Sequence, residues 1–106
     1  MKGALEDFDR ALEIAPRSAD ILLSRALVHL KEERFGDARR DMDRAIELNP
    51  KYIDAFEMRG NLFEKSGDLS GAVRNYEQAL RLAPATWPRR PAIESSLPRV
   101  QARLPK

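Results

Sequence analysis

The sequence predicts an all-α protein built of antiparallel helix pairs, and three observations predict it. The chain aligns with itself at a shift of 34 residues, each aligned segment spaces its apolar residues as a helix does, and proline returns at one phase of the repeat. Ala4, Ala38 and Ala72 coincide in that alignment, as do Ala11, Ala45 and Ala79, and Pro16, Pro50 and Pro84. Phe8, Met42 and Tyr76 form a column of large residues. Leu12, Ile46 and Leu80 form a second, and Ile14, Leu48 and Leu82 a third. In the intervening segment Leu22 aligns with Phe56, Arg25 with Arg59, Ala26 with Gly60 and His29 with Phe63.

The elements follow in order. Ala4, Phe8, Ala11 and Leu12 fall at i, i+4, i+7 and i+8, one apolar stripe, and predict a helix over 3–14 that stops before Pro16. Leu22, Ala26 and His29 carry the next, over 19–32, with Ser18 as its N-cap. Ala38, Met42 and Ala45 predict a helix over 36–48, and Phe56, Gly60 and Phe63 one over 52–65. Ala72, Tyr76 and Ala79, capped by Asp68, predict the fifth over 69–82, which Pro84 closes. The small residues at Ala26, Gly60, Ala38 and Ala72 let helix backbones approach closely while the bulky columns fill the space beside them. The organisation expected is a half repeat over 1–16, full repeats over 17–50 and 51–84, and a proline-broken basic segment over 85–106.

Composition narrows the function classes. A charged fraction of 34% with 7% aromatics suits helices with solvated faces. There is no cysteine, so no disulfide or thiolate zinc site. The longest apolar runs are three residues, as at Ile21 to Leu23, far short of a membrane span or a signal-peptide core. A cytoplasmic protein without a membrane partner is the expectation. The net charge of +2 is uneven, since the last twenty residues hold five basic side chains against Glu94 alone. For catalysis the inventory is poor: one histidine, no Gly-rich phosphate loop and no nucleophile elbow. His29 shares its column with Phe63 and is expected to pack rather than act as a base or ligand. Glu6, Asp7, Asp9, Asp41, Asp43 and Glu47 are expected as solvated charges on outward or seam faces. The chain is therefore expected to be no enzyme and to use no cofactor or metal.

The 34-residue period, the series Ala38, Met42, Ala45, Pro50 and again Ala72, Tyr76, Ala79, Pro84, and the small residues Ala26 and Gly60 resemble the tetratricopeptide repeat family. The resemblance covers residues 4–84. It departs from the pattern at Arg25 and Arg59, where the family more often has leucine, and at Glu33 and Arg34, where the second repeat has Gly67 and Asp68. The resemblance implies a right-handed superhelical array whose first helices line a concave groove that holds a protein or peptide. Carried onto this sequence, the groove positions are Asp20, Leu23, Ser24, Leu27, Leu30 and Lys31, then Asp54, Glu57, Met58, Asn61, Glu64 and Lys65. Co-chaperones of the family clamp the carboxylate terminus of heat-shock chaperones with lysine, asparagine and arginine from successive first helices. Here Leu23, Leu27, Met58 and Pro88 stand at such positions, and a shift by one repeat brings Ser24, Asp54 and Met58, so that clamp is not expected.

Three further expectations concern charge and the ends. Asp7 and Asp41 each precede an arginine by 18 residues, Arg25 and Arg59, which suggests ion pairs across the seam between repeats. The first helix has the columns of a second helix, and the segment from Ile21 to Leu30 is apolar round most of its circumference. An uncovered leucine edge follows, to be covered by a longer parent chain or by another copy in a homo-oligomer. After Pro84, residues Ile93, Leu97, Val100 and Leu104 repeat at helical spacing, with Pro98 expected to kink or split the helix. This segment is either a cap anchored by Trp87 or disordered, and its arginines offer a weaker alternative function in nucleic-acid binding.

Overall fold

The computed structural model describes residues 2–105, which form six helices and, among the described residues, no strand. They are α1 (Lys2–Ile14), α2 (Ala19–Lys31), α3 (Phe35–Leu48), α4 (Ile53–Ser66), α5 (Leu69–Leu82) and α6 (Arg90–Ala102). The chain divides into two compact units, residues 1–55 and 56–106, with the boundary inside α4.

In the first unit α2 packs against both α1 and α3. Ala26, Ala38, Met42 and Ala45 are fully buried and Leu22, Leu23 and Leu30 nearly so. These are the small and bulky columns of the repeat, so close approach and filling are shared as the sequence suggests. The Ser18 side chain accepts a hydrogen bond from the Ile21 N–H at 3.3 Å, the expected N-cap. At the other end of α2 the Arg34 N–H reaches the His29 carbonyl and the Glu33 N–H that of Leu30, satisfying carbonyls the helix leaves open. That motif needs a left-handed residue, and here it is Glu33, at φ 60°.

The charge pairing of this unit differs from the sequence expectation. Arg25 binds not Asp7 but Asp41, 16 residues downstream in its own repeat, through Nε and Nη2, both at 2.8 Å. Its Nη1 turns to Asp9 at 2.9 Å. The pair therefore crosses from first to second helix within a repeat, and the seam contact goes to Asp9, one turn-fraction along α1 from Asp7. Asp41 itself, expected on a solvated face, is only 4% exposed, because it lies one position from Met42 on the packed side of α3. Hydrogen bonding to Asp41, more than to Asp9, holds the Arg25 guanidinium charged well beyond its ordinary range. His29 packs beside them, its Nε2 3.8 Å from Asp41, while its buried Nδ1 has no hydrogen-bond partner among the described residues.

The second unit uses the same columns. Ala72, Tyr76 and Ala79 are buried, with Phe56, Leu62 and Phe63. Gly60 leaves room for the Tyr76 ring, since a Cβ there would stand 2.6 Å from it. Gly67 takes the left-handed position at φ 90°, and the Asp68 carboxylate caps α5 by accepting from the Gly71 N–H at 2.9 Å. Arg59 donates through Nε to Asn75, which in turn donates to the Gly71 carbonyl, so the neutral amide fills the place Asp41 has in the first repeat.

The segment after Pro84 is ordered. Arg90 donates through Nη1 to the carbonyls of Leu80 and Ala83, closing the end of α5, and α6 begins there with Pro91 in its first turn. α6 packs against α5 with Ile93 and Val100 buried. One expectation is corrected here. Pro98 does not split α6, which runs through it with the proline on the exposed side. Trp87 is partly buried, and Ile93 and Val100 are the buried residues of this segment.

Candidate functional site

The twelve groove positions separate into two classes once their angular place on each helix is considered. On α2, Asp20, Ser24, Leu27 and Lys31 share one exposed stripe at spacings of 4, 3 and 4. Leu27 is 40% exposed, and together with Ile14 it is one of two large apolar side chains left open among the described residues. Leu23 and Leu30, expected beside it, are buried. They stand about 40–60° round α2 from Leu27, at the edge of the core stripe of Leu22 and Ala26, and the groove loses two of its three leucines. Asp20 accepts a hydrogen bond at 2.7 Å from the Tyr52 hydroxyl; burial and this carboxylate together push the phenol's pKa up.

On α4 the same split recurs with different chemistry. Asp54 and Lys65 are exposed, Met58 and Asn61 partly covered. Glu57 and Glu64 lie 34 residues after Leu23 and Leu30, so they fall on the edge of the core stripe too. Glu57 is buried and Glu64 nearly so. A carboxylate in such a place requires a cation, and the tail supplies it. Arg89 meets Glu57 through Nε at 2.8 and 2.7 Å and through Nη2 at 2.5 Å. Glu64 takes Arg99 Nη1 at 2.6 Å and Arg103 Nη1 at 3.5 Å. The Tyr76 hydroxyl lies 2.9 Å from Glu64 and 2.6 Å from the Asn61 side chain.

These contacts set the electrostatics. The hydrogen bond from Arg99, reinforced by that of Tyr76, holds the Glu64 carboxyl below its ordinary pKa against the opposing effect of burial. Burial and then Glu64 push the Tyr76 phenol up. Both acids are thus paired with arginines of their own unit. The repeat alignment carried the signal, since an acid in a leucine column asks for a counter-charge, but it gave no sign of which cation answers. Among the described residues no group of three or more potential metal ligands gathers, and no helix is long and apolar enough to cross a membrane.

Two tetratricopeptide repeat family models match the chain, one over residues 2–56 and one over 53–86. The chain belongs to the tetratricopeptide repeat family. Its repeats also resemble solved structures. The first tetratricopeptide domain of Spaghetti (RPAP3), bound to the HSP90 peptide SRMEEVD, matches at TM-score 0.82 and 21% identity, over 92% of this chain and 75% of that one. The Arabidopsis OM64 tetratricopeptide domain matches at 0.83 and 20%, over 94% and 79%. MamA matches at 0.84 and 20%, with 95% of this chain spanning about half, 53%, of that one. No curated protein matches. At such identities the likeness is one of fold, and it agrees with the all-helical repeat described above. Family and fold support a protein–protein interaction module, and no catalytic family is indicated.

Proposed function

We propose that this repeat holds a protein or peptide segment against the outer faces of its first helices, with the α2 stripe of Asp20, Ser24, Leu27 and Lys31 as the contact in the first unit. The observation that carries this reading is the exposure of Leu27 amid polar neighbours on one helical stripe. A lone apolar side chain with a polar rim is the usual arrangement of a contact that anchors a partner. A segment bringing one apolar side chain to Leu27, with a cation for Asp20 and an anion for Lys31, suits the stripe. The ligand differs from a chaperone's terminal carboxylate: Leu27 and Met58 stand where that mode needs asparagine, and an apolar side chain offers a carboxylate nothing.

Capture of partners by the wild type beside a Leu27→Glu variant tests the reading. Leu23 is unsuitable for this purpose, because a charge there would enter the core. Leu27→Glu leaves the packed columns intact, so the variant is expected to fold and to lose the partner. Retention of every partner by a folded Leu27→Glu chain would overturn the assignment.

A further inference from the structure

Glu57 and Glu64 occupy the two columns that leucines fill in the first repeat, and they are the feature of the second unit that packing alone does not explain. Two turns apart on α4, they stand about 10 Å from one another along the helix. Arginine is the side chain that fits them, because its planar fork meets a carboxylate through two donors at once, as Arg89 does at Glu57. We propose that this face of α4 is an arginine-recognition surface, that residues 89–103 fill it as a built-in ligand, and that a partner segment carrying two arginines about 10 Å apart competes for it. The proposal rests on the reading that first-helix faces bind partners, and it names the partner's chemistry for the second unit.

Two observations make the exchange feasible. Arg89, Arg99 and Arg103 keep 59%, 54% and 52% of their side-chain surface exposed, whereas the acids they serve are covered. Solvent-exposed arginines are rehydrated at small cost when released, so the exchange turns on whether another guanidinium takes their place. The acids gain much more, since a covered carboxylate left alone is strongly disfavoured, so a guanidinium from either source must be present. Arg99 and Arg103 also lie off the apolar stripe of Ile93, Leu97 and Val100 that seats α6. The two arginines can therefore leave Glu64 while the helix stays in place. Opening the contact does not require unfolding the cap.

The probe is a labelled polyproline II peptide with two arginines three residues apart, which returns their side chains to one face about 9 Å from one another, together with its lysine counterpart. Binding is measured at low salt to the wild type, to Arg99→Ala/Arg103→Ala, and to the same variant with Glu64→Gln added. Removing the resident arginines is expected to raise affinity for the arginine peptide at least tenfold, with the lysine peptide weaker and the gain abolished by Glu64→Gln. An Arg89→Ala variant is expected to show the same gain through Glu57. Unchanged Trp87 fluorescence and helix content establish that the cap is still seated in each variant. Equal binding by wild type and seated variants, or a gain that survives Glu64→Gln, would overturn the proposal. Should that happen while capture still depends on Leu27, the broader reading of the first-helix faces stands and only this inference falls.

Discussion

Single residues show where the two repeats diverge in quality. Glu33 and Gly67 hold the same left-handed turn, but only glycine does so without a Cβ clash, a difference of about 1 kcal/mol. Beside them Asp68 caps its helix, while Arg34 makes no side-chain cap. The double change Glu33→Gly, Arg34→Asp copies the second turn into the first and is expected to stabilise the chain by about 1–2 kcal/mol, read as a higher urea midpoint. Asp41 and Asn75 offer a second comparison. Asn75 shows that an amide serves the arginine adequately, so Asp41→Asn is expected to cost only about 1 kcal/mol. Arg25→Met, which strands the buried carboxylate, should cost about 2–3 kcal/mol. Equal losses from the two substitutions would show that the pair contributes through packing, not charge.

Among the elements, α6 has the most to explain, because it combines an internal proline, a basic surface and two buried anchors. Its attachment through Glu64 makes the second unit sensitive to acid. The folded-state pKa of Glu64 is depressed, so its contribution is complete above the unfolded value of about 4.3 and is lost as pH falls through the folded value. Urea unfolding of the wild type is expected to weaken over that acid range, and Glu64→Gln to weaken less. An identical acid dependence in the variant would exclude Glu64 as its source. The helical spacing of α6 was legible from Ile93, Leu97 and Val100; its continuity through Pro98 was not, because that depended on which side of the helix faced water.

For the whole molecule, the basic tail matters less as a field than its count of charges suggests. Arg89, Arg99 and Arg103 meet carboxylates on α4, and Arg90 meets Glu94 and two helix carbonyls. Phosphate binding gains its energy from unpaired cations that release counterions, and these cations are largely spoken for. Titration with duplex DNA at rising salt is therefore expected to show weak binding with a shallow salt slope. A slope corresponding to four or more phosphate contacts would revive a nucleic-acid role for the tail.

The sequence by itself determined the helices, their caps and their phase. A 34-residue repeat of Ala, bulky residue, Ala and Pro is readable because helix periodicity and proline geometry are local, and the bounds of α2 to α5 agree with expectation to within a residue or so. Only the tertiary structure decided which partner each charge takes. Arg25 lies near several acids in sequence terms, and whether it meets Asp7, Asp9 or Asp41 depends on how far one helix is displaced along the next. The same limit applied to Leu23, Leu30, Glu57 and Glu64. A position at the edge of a helix's core stripe becomes surface or interior according to what packs against it, and that neighbour can come from far along the chain. For Glu57 and Glu64 it came from the arginines of the cap.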